Sequence, residues 1–170
     1  MAQEPIRKEV METQTAAIRY ELGDKHSYEF VEGTISREMA PEFKGMAAPD
    51  EDFFSYVDPE NLDTSLKALG YLDAYIEAEG PFDGVMAFSQ GALLIMTYLA
   101  QKAFQGSASP FKCAIIFSVR DAYDPRLLEQ GKLQNLTPET SGEIIQIPTA
   151  HICKTLTSPS DATLSKQGNR

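Results

Sequence analysis

Residues 81–92, Pro-Phe-Asp-Gly-Val-Met-Ala-Phe-Ser-Gln-Gly-Ala, decide the fold. Residues 84–88 form a short apolar run that is typical of a buried parallel strand, and an apolar helix is predicted over residues 92–103. Between them, Ser89 lies in a turn with a small residue two positions before it and another two positions after it. This pattern favours a nucleophile elbow, in which the serine hydroxyl projects above the sheet. An ordinary strand–turn–helix junction explains the same residues about equally well.

Length and composition bound the class of protein. The chain has 170 residues, enough for one domain with its own core. The net charge of −10 argues against nucleic acid as a partner, since phosphate binding needs a basic surface. Because there is no long apolar run and no secretory signal, we expect no membrane interaction and a cytoplasmic location. Cys113 and Cys153 are expected to be buried free thiols, and we expect no cofactor and no metal.

Helices and strands alternate along the chain. Apolar spacing and the start signal Asp58-Pro59 predict two long helices, over residues 10–22 and 58–79. Short apolar runs predict further strands at residues 28–31, 113–118 and 144–153, the last of them broken by Pro148, and Asp124-Pro125 predicts a short helix. Residues 34–57 are predicted to be a long surface loop, whose aromatic side chains either pack on the body or contact a substrate. The alternation predicts an α/β fold with a mainly parallel sheet, with Ser89 at the carboxyl ends of the strands.

Three segments carry a resemblance to a known family: Phe54-Ser55-Tyr56, residues 67–72 (Lys-Ala-Leu-Gly-Tyr-Leu) and residues 80–92 around the predicted elbow. They resemble the fungal FSH-type serine hydrolases, which are α/β-hydrolases related to the ovarian-cancer-associated hydrolase and to the lovastatin-pathway thioesterase. The similarity runs from about residue 13 to about residue 152. It implies one three-layer α/β-hydrolase domain over residues 1–170. It also implies a serine esterase or thioesterase that acts on a small acyl ester or a carrier-bound acyl thioester, in polyketide or other secondary metabolism, with a polyketide synthase as a partner.

The resemblance also implies roles for individual residues. Ser89 corresponds to the nucleophile, and the backbone N–H of Gln90 to an oxyanion donor. Family members open with a strand and a His-Gly-x-Gly-like loop, and close with a Gly-x-x-Asp and then a Gly-Gly-His segment. This chain opens with Met-Ala-Gln-Glu and has Lys-Thr-Leu-Thr at residues 154–157. We therefore expect it to lack the first strand and the unit that carries the catalytic histidine, and Asp161 is the nearest candidate for the acid.

The chain contains only two histidines, His26 and His151. His151 is expected to be a buried structural residue of a strand and His26 a solvated turn residue, with a catalytic base as the alternative for each. Neither is expected within hydrogen-bond reach of the Ser89 hydroxyl. Two functions stay open: a working serine esterase or thioesterase, and a catalytically impaired relative with a binding role. Residues 1–9 and 154–170 are expected to be poorly ordered.

Overall fold

A computed structural model of the chain describes residues 8–37, 53–58, 60–119 and 121–152. The strands are β1 (Ile35–Arg37), β2 (Phe53–Ser55), β3 (Gly84–Phe88), β4 (Cys113–Phe117) and β5 (Thr149–Ile152). The helices are α1 (Lys8–Gln14), α2 (Ala16–Leu22), α3 (Leu62–Glu79), α4 (Ser89–Phe104), α5 (Pro125–Leu128) and α6 (Pro138–Ser141), with a 3-10 turn at Gly23–Lys25. The predicted disorder at the two ends falls almost wholly outside the described residues.

The sheet that carries Ser89 is parallel. Its described strands follow the order β3-β4-β5. Gly84 pairs with Cys113, and Phe88 pairs with Phe117, so β3 and β4 end at the same edge of the sheet. β1 and β2 form a separate antiparallel pair. The predicted α/β fold with a mainly parallel sheet is therefore confirmed.

Helix α4 is the central element of the core. It packs on β3, β4, α3 and α5, and Ala92, Tyr98 and Leu99 are at most 3% exposed. The Tyr98 hydroxyl donates to Asp73 Oδ1 over 2.6 Å, and Lys102 Nζ lies 2.6 Å from the same oxygen. The hydrogen bond from Lys102 is the main reason that the pKa of Asp73 is lowered. This group ties α3 to the buried helix.

The two faces of the parallel sheet differ in burial. Alternate residues of a strand lie on opposite faces. Ala87 and Ile116 are paired on the face toward α4, and they are 6% and 0% exposed. Met86 and Ile115 are paired on the other face and are half-buried, while Ile152 at the end of β5 is 52% exposed. The core of the domain therefore lies on the α4 side of the sheet.

The predicted helix over residues 10–22 is two helices. Thr15 separates them, and its hydroxyl donates a hydrogen bond of 2.7 Å to the carbonyl of Met11. Such a bond from a side chain to the preceding turn bends a helix. Gly23 ends α2 with a φ of 70°, a left-handed conformation that favours glycine at the end of a helix. Within the described ranges, no helix combines the length and the apolar character that crossing a membrane requires.

Helix α3 begins later than predicted. Its N-cap is Asn61, whose side chain accepts a hydrogen bond from the Asp63 N–H over 3.2 Å. Asp58, the predicted cap, instead accepts from the Glu60 N–H over 3.0 Å. Aspartate favours both a helix cap and a local turn of this kind, and here it forms the turn before the helix.

Three further expectations are corrected. Residues 28–31 have no strand partner in the described part of the chain. The predicted break at Pro148 is present, because β5 begins only after this proline, which has no N–H for the ladder. The predicted loop over residues 34–57 contains β1 and β2, which pair with each other and not with the main sheet. Cys113 is an exposed free thiol, because Gly84 beside it has no side chain to cover it. Cys153 lies outside the described residues.

Candidate active site

Ser89 lies at the junction of β3 and α4. The strand ends at Phe88 and the helix begins at Ser89, so the turn between them is as tight as the chain allows. Ser89 has a φ of 50°. Residues other than glycine seldom adopt this left-handed conformation, and those that do are concentrated at functional sites. The residue is half-buried. The predicted elbow geometry is therefore present, while the role of Ser89 as nucleophile stays a prediction.

The small residues on both sides of Ser89 are explained by their neighbours. Ala87 is 6% exposed and faces the close-packed core, where a larger side chain has no room. A Cβ atom built on Gly91 would lie 3.3 Å from Cε2 of Tyr56, which is closer than ordinary van der Waals contact. The elbow therefore depends on a tyrosine that is distant in sequence as well as on the local turn.

Gln90 has two distinct parts. Its backbone lies in the first turn of α4, at the positive end of the helix dipole, which suits a developing oxyanion. The residue as a whole is only 5% exposed, and its side chain is hydrogen-bonded to the segment after β2. Oε1 accepts from the N–H groups of Tyr56 over 2.7 Å and Val57 over 3.3 Å, and Nε2 donates to the Val57 carbonyl over 3.1 Å. The sequence analysis missed this role of the side chain. Its only sequence signal is a single amide residue at the start of an apolar helix, since a buried amide needs hydrogen-bond partners.

Tyr56 belongs to this arrangement through its ring and its hydroxyl. The ring lies over Gly91, and the hydroxyl donates to the Val31 carbonyl over 2.6 Å. Burial, with a smaller contribution from the charge of Glu32, raises the pKa of Tyr56 to about 12. The phenol is therefore protonated at neutral pH and acts as a donor. Of the two roles predicted for the aromatic residues of this segment, the contacts of Tyr56 show packing.

A second serine with unusual backbone geometry lies at the same edge of the sheet. Ser118 follows β4 as Ser89 follows β3, and its φ is 56°. Because Phe88 pairs with Phe117, the two serines are neighbours at the carboxyl ends of adjacent strands. Ser118 is exposed, and its N–H donates to the Ile152 carbonyl over 2.9 Å. The sequence analysis did not single it out; its only signal was a serine that ends an apolar run.

His151 is exposed, so the expectation of a buried structural histidine is wrong. It lies on β5, which packs chiefly on β4, and it borders an open groove of about 530 Å³ beside Met96. It pairs with Ile116, which in turn pairs with Ala87. Given a strand spacing of about 4.8 Å and a rise of about 3.3 Å per residue, its Cα is about 12 Å from that of Ser89. An imidazole at this position is too far away to take a proton directly from the serine.

The other predicted polar residues also lie apart from Ser89. His26 is exposed after the 3-10 turn, as expected, and its ring centroid is 6.4 Å from that of Tyr28. Among the described residues, no hydrogen bond joins the Ser89 hydroxyl to either histidine. Asp161 and Thr157 lie outside the described residues. Within the described ranges, no three His, Cys, Asp or Glu side chains come together as a metal site would require.

Comparison with known proteins gives a consistent set of relatives. Residues 6–155 match the family described as serine hydrolase (FSH1). The esterase FPY3 of Fusarium mangiferae is 38% identical over 146 residues, which cover 84% of this chain and 66% of that protein. The hydrolase FUB4 of Gibberella moniliformis is 31% identical over 147 residues, 82% of this chain and 52% of that protein. The esterase alnB of Emericella nidulans is 32% identical over 124 residues, 66% of this chain and 42% of that protein.

The matched region covers about half to two thirds of the length of the first two relatives. No solved structure shows significant similarity to the chain.

Proposed function

The chain belongs to the serine hydrolase (FSH1) family, and from that premise we propose that it cleaves carboxylic esters of small molecules with Ser89 as the nucleophile. The observation that carries the proposal is the left-handed conformation of Ser89 between β3 and α4. An elbow of this kind presents a serine hydroxyl at the carboxyl edge of a parallel sheet, where such folds place their chemistry. Relatives named as esterases support the reaction class.

The proposed reaction has two stages. Ser89 Oγ attacks the acyl carbonyl carbon and loses its proton to a base, and the negative charge that forms on the carbonyl oxygen is stabilised by the Gln90 N–H. The bond from carbon to the leaving alcohol then breaks, and the alcohol departs with a proton. Water attacks the acyl-serine in the same way and releases the carboxylic acid. Asp161 remains in the proposal as the acid that would orient the base.

The finer parts of the proposal concern substrate and setting. The family resemblance supports an acyl thioester on a carrier protein as an alternative substrate, in secondary metabolism with a polyketide synthase as partner. A thioester would react in the same two stages, with a thiol as the leaving group. The exposed free thiol of Cys113 suits a reducing compartment, which supports a cytoplasmic location.

A fluorophosphonate probe tests the proposal directly, because it forms a covalent bond only with an activated serine. We expect labelling of the unaltered chain at Ser89, located by peptide mass spectrometry, and no labelling of Ser89→Ala. Ser118→Ala is the matched control, because Ser118 lies on the adjacent strand with nearly the same backbone conformation. Labelling should persist in Ser118→Ala. A probe found on Ser118 would show that Ser118, and not Ser89, is the nucleophile.

A second candidate function is acyl-ester binding with very slow turnover. The observation that favours it is the placement of both histidines. His26 lies beside Tyr28, and His151 lies two strands away from β3. A serine without a base in reach is a poor nucleophile at neutral pH. Fluorophosphonate labelling, together with a measurement of acyl-ester binding, separates the two candidates. A chain that binds an acyl ester but is not labelled would support binding alone.

A further inference from the structure

We propose that the side chain of Gln90 is a positioning residue that anchors the β1–β2 pair to the nucleophile elbow and so fixes the backbone of the oxyanion site. The catalytic consequence of this inference rests on the proposed function, whereas the anchoring itself can be measured without any reaction. Gln90 thus has two roles. Its backbone N–H faces the substrate, and its side chain binds Tyr56 and Val57, which lie 34 and 33 positions earlier in the chain.

The hydrogen bonds of Gln90 run in both directions. Its oxygen accepts from the N–H groups of Tyr56 and Val57, and its nitrogen donates to the Val57 carbonyl. The side-chain amide therefore pairs with the backbone as a neighbouring peptide group would. The glutamine amide offers an acceptor and a donor together at this reach without any change of protonation; asparagine is one carbon shorter, and ionised glutamate has no donor. This pairing explains why one polar side chain lies buried at the start of α4.

The segment that Gln90 binds, Tyr56 and Val57, also makes other contacts with the core. Val57 is 3% exposed within the core, and the Tyr56 ring lies over Gly91, the residue after Gln90. The Tyr56 hydroxyl reaches the Val31 carbonyl, on the chain that leads into β1. β2 ends at Ser55, immediately before the two residues that Gln90 binds. The end of the β1–β2 pair is therefore tied to the first turn of α4 by hydrogen bonds between the Gln90 side chain and the backbone of Tyr56 and Val57.

The backbone of Gln90 links its two roles, because it carries both the N–H that faces the oxyanion and the side chain that binds Tyr56 and Val57. Rotation of the Gln90 backbone would turn its N–H away from the position of the oxyanion. The three side-chain bonds oppose that rotation, because they connect Gln90 to a segment that is itself packed in the core. Oxyanion donors act by being held in place before the reaction, so a small loss of position lowers the rate. The effect should appear in kcat more than in KM.

Gln90→Met tests the anchoring, since it keeps the approximate size of the side chain and removes all three hydrogen bonds. Amide hydrogen exchange is measured at Tyr56 and Val57, together with the rate of fluorophosphonate labelling at Ser89. We expect exchange at both amides to be at least 10-fold faster and labelling at least 10-fold slower. Gln101→Met is the matched control on the same helix, where the side chain makes no hydrogen bond among the described residues. It should change both measurements by less than twofold.

Gln90→Glu provides a second test that does not depend on Gln90→Met folding. The ionised glutamate cannot donate to the Val57 carbonyl, but the protonated acid can, and burial raises the pKa of such a group. The labelling rate of Gln90→Glu divided by that of the unaltered chain should therefore rise toward one as the pH falls from 8 to 5. The other ionisable groups that face this site, Tyr56, Glu32 and Asp58, are the same in both proteins, so the ratio of the two rates isolates the substituted side chain. Gln101→Glu should give a flat ratio.

Each outcome decides the inference. Unchanged exchange at Tyr56 and Val57 in Gln90→Met overturns the anchoring. Faster exchange with unchanged labelling, or a flat pH ratio for Gln90→Glu, overturns its effect on the elbow. If the unaltered chain is not labelled at all, the proposed function fails and the catalytic consequence fails with it, while exchange alone still decides whether Gln90 holds the segment.

Discussion

Gly91 lies under the ring of Tyr56, and its missing side chain sets how closely α4 approaches the segment after β2. A Cβ there would be 3.3 Å from Tyr56 Cε2. Alanine is a better helix former than glycine by about 1 kcal/mol, while forcing extra volume into a packed site costs about 1–3 kcal/mol. The two effects oppose each other, and at this position we expect the packing cost to win or to cancel the gain.

We predict that Gly91→Ala leaves the free energy of unfolding unchanged or lowers it by up to about 2 kcal/mol. Gly70→Ala is the matched control, because Gly70 is an exposed residue within α3 and a Cβ there meets no atom within 4 Å. That variant should be more stable than the unaltered chain by about 1 kcal/mol. Urea unfolding of the three proteins measures the difference. Equal stabilisation by both substitutions would show that Tyr56 moves away without cost.

Residues near Ser89 show what local sequence can and cannot predict. Ser89, Ala87 and Gly91 are recognisable from the pattern of small residues around the turn, since that constraint lies within five positions. The role of the Gln90 side chain is not, because its partners are 33 and 34 residues away. The exposure of His151 was likewise missed, since it depends on which strand lies at the end of the described sheet.

At the scale of single elements, α5 is formed by a local signal. Asp124 is its N-cap and accepts from the Arg126 N–H over 3.0 Å, and Pro125 occupies the first helical position. The Arg126 Nε atom also donates to Asp124 Oδ1 over 2.9 Å. The hydrogen bond from the Arg126 side chain is the main cause of the lowered pKa of Asp124, which is 5% exposed. Cap and ion pair therefore share one carboxylate.

We predict that Asp124→Ala lowers the free energy of unfolding at pH 7 by about 1–2 kcal/mol, since the cap is lost. Asp124→Asn should lose less, about 0.5–1 kcal/mol, because asparagine still caps the helix and only the partly exposed ion pair is removed. Since the pKa of Asp124 is lower in the folded state, its charge stabilises the fold above the ordinary aspartate pKa. That contribution is lost as the pH falls through the folded-state pKa.

Unfolding by urea at a series of pH values measures this dependence. The gap between the unaltered chain and Asp124→Asn should be widest at pH 7 and should close below about pH 4, near the ordinary aspartate pKa. A gap that stays constant with pH would show that the carboxylate acts by shape alone.

Elements with local signals were predicted most accurately. β3 was predicted to the residue, and α5 was predicted from its cap and proline. β1 and β2 were missed, because each is only three residues long and depends on pairing with the other across residues 38–52. The start of α3 was misplaced because Asp58 and Asn61 are both good caps, and the periodic pattern of the helix does not decide between them. In the structure the Asp58 N–H donates to Thr64 Oγ1, in the first turn of α3, over 2.7 Å, which places Asp58 in the turn before the helix.

At the scale of the whole molecule, strand order determines which side chains can meet. β4 separates β3 from β5, so a residue on β5 is two strand spacings from the elbow. The pairing of His151 with Ile116 sets its height along the strand below Ser89. Direct proton transfer requires heavy atoms within about 3.2 Å, and a separation of about 12 Å between the Cα atoms exceeds what the two side chains span. His26 lies on a separate turn near Tyr28.

We therefore predict that replacing either histidine leaves the chemistry at Ser89 unchanged. In His151→Ala and His26→Ala, the rates of fluorophosphonate labelling and of p-nitrophenyl ester hydrolysis should stay within twofold of the unaltered chain. Both side chains are exposed, so the free energy of unfolding should change by less than about 0.5 kcal/mol. Ser89→Ala, measured beside them, gives the rate without the serine. A loss of 10-fold or more in His151→Ala at unchanged stability would contradict the strand geometry, and it would make a Ser89–His151 pair the mechanism.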